Sequence, residues 1–149
     1  KSYSTKAGIE AQAIQDAQQF YTFHGAKYTL HEVLSGQLKT ANLYGPEPFD
    51  TDFTVSLDEI NSDDNNYILR STQIVNADQL AEATYTYLVN LSKTMGAPVP
   101  SKDDVQGLTH ETLVASRIHG SGWLVYSILT KTVASGDVFS IEERIIEIK

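Results

Sequence analysis

The residues best suited to bind a metal ion form a run rich in Asp and Asn. Asn61, Asp63 and Asn65 have the spacing of the first three ligands of a calcium loop, and calcium prefers carboxylate and carbonyl oxygens. The match ends there, because Asn66 stands where such a loop has glycine and Thr72 stands where it has a bidentate glutamate. Asp and Asn are also favoured in tight turns, so the run predicts a hairpin turn, with a calcium site as the alternative.

The four histidines do not form a metal-binding pattern. His24 and His31 are seven residues apart, and His110 and His119 are nine apart, so the chain has no HExxH or His-x-His pair. It also lacks cysteine, a Gly-x-Ser-x-Gly nucleophile elbow and the glycine-rich loops that bind phosphate. We therefore expect no cofactor and no catalytic residue. An enzyme with carboxylates or a histidine in a cleft is the alternative, because such groups meet only in the fold.

The acidic residues are concentrated in one stretch. Between Lys39 and Arg70 there is no basic residue, and the acidic residues there are Glu47, Asp50, Asp52, Asp58, Glu59, Asp63 and Asp64. The whole chain has 19 acidic against 11 basic residues and a net charge of −8. That charge argues against binding to nucleic acid or to an anionic membrane surface, since both require a positive surface.

The same stretch supports one functional hypothesis, an acidic binding module such as an inhibitor, an immunity-type protein or a sensor domain. Such a module docks a basic partner surface, and its association is sensitive to salt. The carboxylates expected to face the partner are Asp58, Glu59, Asp63 and Asp64.

The first predicted element is an amphipathic helix over residues 5–24, since its apolar residues follow a period of 3.6. We expect its apolar stripe to pack on a sheet or on a neighbouring molecule. The interface candidates in this stripe are Ile9, Ala13, Ala17 and Phe20. A second, short helix is predicted over residues 29–36, where Thr29 and Glu32 have capping-box spacing.

The middle of the chain predicts a β-hairpin and then a helix. Residues 40–52 contain one glycine and two prolines and predict a loop, and alternating polarity predicts strands at 53–58 and 67–75. Asn76 and Gly96 have the residue types that begin and end a helix.

Two tyrosines on this helix lie two positions apart and therefore point to different faces. Tyr87 belongs to the apolar stripe, and Tyr85 is the candidate for an exposed aromatic residue at an interface.

The last third of the chain predicts more strands. Residues 112–131 form a hairpin around a turn with two glycines, and β-branched residues favour a strand over a helix from Val138 onwards. The class that follows is α+β, with the N-terminal amphipathic helix and further helices packed on one face of an antiparallel sheet. All 149 residues form one domain.

An amphipathic helix followed by a polar loop and an antiparallel sheet resembles the globular part of a type IV pilin or pseudopilin. The strand at 66–71, followed by the helix from Asn76, is similar to a step in the larger class of these proteins. The resemblance implies a non-enzymatic, extracytoplasmic subunit that assembles through protein contacts, as a homo- or hetero-oligomer and with a cell-surface filament as one form. It also implies that a hydrophobic helix preceded Lys1, so that contact with a membrane would need a segment outside this chain. No functional residue is transferred by it.

Overall fold

The computed structural model describes residues 13–14 and 17–148 of the chain. Six antiparallel strands form one sheet in which each strand pairs with the next along the chain. The strands are β1 Val33–Thr40, β2 Phe49–Asn61, β3 Asn66–Val75, β4 Thr109–His119, β5 Leu124–Ser135 and β6 Val138–Glu147. A helix, α1 Ala77–Met95, and a short 3-10 helix, Lys102–Val105, connect β3 to β4.

The α+β prediction is wrong, because the architecture is that of an all-β protein. In the described part of the chain α1 is the one long helix, and it does not cover a face of the sheet. It packs against one end, where Leu80 meets Phe49 and Val75. The outer turns of α1 therefore leave apolar side chains such as Leu91 and Met95 exposed. No helix among the described residues has the length and apolarity needed to cross a membrane.

The short helix predicted over residues 29–36 is also wrong. Residues from Val33 onwards form β1, in which Gly36 lies opposite Phe53 of β2. The local capping signal makes only a turn, in which the Glu32 amide donates to the Thr29 carbonyl at 3.1 Å. The sheet ladder outweighs it because eight residue pairs link β1 to β2. The loop predicted over 40–52 is shorter than expected, since β2 already begins at Phe49.

The other elements agree with the predictions. The hairpin of β2 and β3, the hairpin of β4 and β5, and the strand β6 are all present. The Asn76 side chain caps α1 by accepting from the Gln79 amide at 3.0 Å. Gly96 ends the helix with φ 66°, a conformation that glycine adopts without steric cost.

The two faces of the sheet differ. The inner face carries a core cluster of Val55, Leu57, Leu69, Val114, Ile118 and Leu124. The outer face carries mostly polar residues on β1 and β2, and Ile141 and Ile145 on β6. Register shifts lie on the β2–β3 pair, between Leu57 and Glu59, and on the β4–β5 pair, between Arg117 and Ile118. Bulges of this kind increase the local twist of a sheet, here near the β2–β3 and β4–β5 turns.

The chain before β1 covers the inner face of the sheet near the β2–β3 and β4–β5 turns. We call residues 17–32 the N-terminal segment; its residues 17–21 are helical and Phe23 joins the core cluster at 5% exposure. Gln19 is buried above two small inner-face residues, Ser116 and Ser127, whose size lets the segment approach the sheet. Of the helix predicted over 5–24, residues 13–14 and 17–21 are helical, and Ile9 lies outside the described residues.

Candidate functional site

An exposed aromatic surface lies at the end of the sheet that carries the β2–β3 and β4–β5 turns. We call this end the hairpin end, and the surface of Phe20, Tyr21, His24 and Trp123 the aromatic surface. The Phe20 ring lies 4.9 Å from that of Tyr21 and 6.3 Å from that of Trp123, both edge to face. Trp123 is 64% exposed and Tyr21 is 60% exposed, so two large aromatic side chains that contact the Phe20 ring face solvent.

The backbone holds this surface in place. The Gly122 carbonyl lies 2.9 Å from Nε2 of His24, which ties the N-terminal segment to the β4–β5 turn. That turn is closed by the His119 amide, which donates to the Trp123 carbonyl at 2.9 Å. Phe20 also packs against the core cluster. The aromatic surface is therefore anchored from both sides.

The acidic turn lies directly beside it. The Gly120 amide donates to the Asn65 carbonyl at 2.7 Å, which joins the β2–β3 turn to the β4–β5 turn. Asp63, Asp64 and Glu59 are exposed there. The structure thus places the acidic turn and the aromatic surface at one end of the sheet.

The residues considered for calcium build the turn instead. Asn61 Oδ1 accepts from the amides of Asp63 and Asp64, both at 3.1 Å, and Asn61 Nδ2 donates to Asp64 at 2.9 Å. Asn65 has φ 48°, which Asn tolerates better than most residues. Among the described residues no three His, Asp or Glu side chains are grouped as a metal site requires.

A serine–histidine contact in the β4–β5 turn has the residue types of a catalytic pair. Ser121 Oγ lies 2.7 Å from His119 Nδ1, and Asn65 Nδ2 lies 3.4 Å from His119 Nε2. The Ser121 amide also donates to Nδ1 at 3.2 Å. Nδ1 of His119 therefore accepts a hydrogen bond from the backbone of its own turn and stabilises that turn. Neither His119 nor Ser121 lines any of the five main cavities of the described chain.

The interface candidates from the first helix are distributed unevenly. Ala13 and Ala17 are exposed, whereas Phe20 is half-buried. Ala17, Phe20, Tyr21 and Ile146 together line an open depression beside the aromatic surface. Asp58 is half-buried and pairs with Arg70 at 3.1 Å, so its charge is partly neutralised within the chain.

The two tyrosines of α1 exchange their predicted places. Tyr85 is partly buried, and the Lys102 ammonium lies over its ring at 5.4 Å from the centroid. Tyr87, assigned to the buried stripe, is exposed beside Tyr44. The prediction of Tyr85 as the exposed aromatic residue is wrong because α1 packs on the end of the sheet and on the 3-10 helix, not over a face.

A second concave region lies on the inner face, bordered on one side by Gln18, Gln19 and Thr22 of the N-terminal segment, and we call it the polar cleft. It has a volume of about 330 Å³, and its polar lining includes Gln73, His110, Thr112, Lys131 and Arg144. Burial lowers the pKa of His110 below its usual 6.5, and the positive charge of Lys131 lowers it further. The imidazole is therefore neutral near pH 7.

The cleft fits binding better than catalysis. Neither His110 nor Lys131 forms a hydrogen bond or an ion pair with a described residue, so no base is in contact with a nucleophile. The sequence analysis missed this region, although a signal was present. His110 and Thr112 are polar at the positions of β4 that continue the inward alternation of Val114 and Ser116.

Comparison with protein-family models, curated proteins and solved structures finds no match to this chain.

Proposed function

We propose that this chain is a non-enzymatic binding module that docks a basic protein partner through its hairpin end. The observation that carries the proposal is the exposure of Trp123 and Tyr21 beside a cluster of carboxylates. Trp and Tyr are the residues that most often dominate binding energy in protein interfaces. A rim of opposite charge speeds association and selects the partner.

Charge decides between a foreign partner and a second copy. Each chain has a net charge of −8, and the acidic turn borders the aromatic surface, so two copies meeting there repel each other. A basic partner is attracted by the same field. A location outside the cytoplasm stays a prediction from the sequence.

A displayed peptide library selected against the immobilised chain tests the proposal. We expect enriched peptides to carry Lys or Arg around an apolar residue. Trp123 is the only tryptophan of the chain, so its fluorescence directly reports whether a synthesised peptide reaches this surface. Raising the salt concentration from 50 to 500 mM should weaken binding, because the Debye length falls from about 14 Å to about 4 Å.

Two variant pairs make the test specific. Trp123→Ala should weaken peptide binding at least about tenfold. Its matched control, Phe139→Ala, removes an exposed aromatic side chain next to the β5–β6 turn at the opposite end and should leave binding unchanged. Asp63→Asn should weaken binding at low salt more than Asp137→Asn, which makes the same charge change in the β5–β6 turn.

Three results would overturn the proposal. The first is a set of selected peptides without basic residues. The second is equal affinity for the wild type and Trp123→Ala. The third is a dimer of the chain alone, seen by sedimentation and abolished by Trp123→Ala, which would assign the aromatic surface to a second copy.

A further inference from the structure

Three hydrogen-bond donors line up across the floor of the polar cleft. Gln73 on β3 lies opposite Thr112 on β4, and Thr112 lies opposite Lys131 on β5. Directly paired residues on one face are about 5 Å apart, so an amide, a hydroxyl and an ammonium form a row. No hydrogen bond within the described chain occupies the Gln73 amide, the Thr112 hydroxyl or the Lys131 ammonium.

The cleft is electropositive in a chain that is acidic overall. Lys131 on β5 and Arg144 on β6 line it, and His110 adds a third group that can carry a positive charge. Glu142 of β6 is opposite Lys131 in the register, but its carboxylate contacts Arg144 at 3.7 Å and is mostly exposed. The Arg144 side chain is only 20% exposed and lines the cleft with Lys131.

The rest of the lining has a polar part and an apolar part. The polar side chains come from the N-terminal segment and from β1, namely Gln18, Gln19, Thr22 and Thr40. Val114 and Leu129 form the wall next to the core, and Leu43 borders the cleft from the β1–β2 loop. A volume of about 330 Å³ is at the small end of the range for ligand pockets. A ligand that matches both parts has one anionic head and a short apolar body.

We propose that the polar cleft binds a small organic carboxylate, with its head on Gln73, Thr112 and Lys131 and its apolar chain against Val114 and Leu129. Carboxylate oxygens accept from all three donors, and the Lys131 contact is charge-assisted. None of the four residues of the aromatic surface lines this cleft, so the proposal does not rest on the proposed docking function.

Titrations with octanoate, acetate and octan-1-ol test the two parts of this ligand separately. We expect octanoate to bind more tightly than acetate because it buries apolar surface, and more tightly than octan-1-ol because it carries the charge. Heteronuclear NMR locates the site, since the side-chain amide signals of Gln73 and the imidazole signals of His110 should shift. Octan-1-ol binding as tightly as octanoate, or shifts that leave Gln73 unaffected, would overturn the proposal.

The variant Lys131→Gln should weaken octanoate binding about tenfold, because it removes a charge-assisted hydrogen bond. Its matched control is Lys93→Gln, which makes the same charge change on the exposed last turn of α1 and should leave binding unchanged. Thr112→Val keeps the side-chain shape, removes the hydroxyl and should weaken binding by a smaller factor. Equal affinity for the wild type and Lys131→Gln would exclude the cleft as the site.

The dependence on pH gives an independent readout. Of the described residues, the charged groups around His110 are Lys131, Arg144 and Glu142. The titration compares octanoate affinity over the interval from pH 8 to pH 6. A bound carboxylate favours the protonated imidazole, so octanoate affinity should rise as pH falls through this interval. The increase should be absent in His110→Gln. The same increase in His110→Gln would show that the anion does not lie near the imidazole.

Discussion

The inner face of the sheet has two halves that are built from the same strands and differ in what covers them. The half near the hairpin end lies under the N-terminal segment and contains Leu69, Ile118 and Leu124, all almost completely buried. The other half is an open cleft that this segment only borders, and it contains Gln73, His110 and Lys131. Along the strands of both halves, every second side chain points to the inner face, so strand pairing alone does not determine where the core lies. The position of the core is determined by the N-terminal segment that covers it.

The largest effect that separates the halves is expected from Phe23→Ala. Phe23 is the buried side chain that joins the N-terminal segment to the core cluster. Removing it leaves a cavity and should lower the free energy of unfolding by about 3–5 kcal/mol. Chemical denaturation measures this difference.

Phe139→Ala is the matched control for that measurement. It makes the same chemical change at a side chain that is 67% exposed, and it should change stability by less than about 0.5 kcal/mol. Similar losses for the two variants would show that the N-terminal segment does not close the core.

A smaller loss is expected where the two hairpins meet. A Cβ atom at Gly120 would come within 2.3 Å of Asn65 Oδ1, so Gly120→Ala must displace this side chain. We expect a cost of about 1–2 kcal/mol. Asn65→Gly keeps the positive φ and removes the side chain, so Gly120→Ala should cost less in that background. Additive losses in the double variant would show that this contact does not link the turns.

The sequence predicted those parts of the fold whose signals are local. Asn76 and Gly96 define α1 because capping depends on a few adjacent residues. The hairpins were predicted because turn residues separate two alternating runs. By contrast, the first half of β1 was predicted as a helix. Its strand conformation depends on pairing with β2, which lies further along the chain, whereas the capping signal depends only on adjacent residues.

The candidate sites also divide into those with a local sequence signal and those that form only in the fold. The acidic turn was found from composition, since its members are neighbours in the sequence. The polar cleft was missed because Gln73, Lys131 and Arg144 come from three strands and meet only through the register. Tyr85 and Tyr87 were exchanged because the 3.6 period gives the faces of a helix but not the surface that it packs on.

The pH dependence of stability should distinguish the polar half from the apolar half. The folded-state pKa of His110 is lowered, chiefly by burial, so below pH 6.5 the unfolded chain binds a proton that the folded chain does not. The stability due to the neutral imidazole is complete above pH 6.5 and decreases as pH falls towards the folded-state pKa. Denaturation at pH 7.5 and 5.5 should show this loss in the wild type and a smaller one in His110→Gln.

His31→Asn is the control for that experiment. His31 is exposed and has φ 63°, a conformation that Asn also adopts, so the variant removes a histidine without straining the backbone. It should lose as much stability as the wild type between the two pH values. An equal loss in His110→Gln would assign the pH dependence to other groups.

The smallest expected effect lies within the polar half itself. Lys131 is the second cause of the lowered His110 pKa, after burial, because its ammonium disfavours a second positive charge nearby. Lys131→Gln should therefore raise the pKa of His110 without returning it to 6.5, since burial remains. The Cε1 proton signal of His110 followed against pH in the two proteins measures the change. An unchanged pKa would show that the Lys131 ammonium does not lie near the His110 imidazole in solution. The cleft would then lack the grouping of charged side chains that distinguishes it from the apolar half.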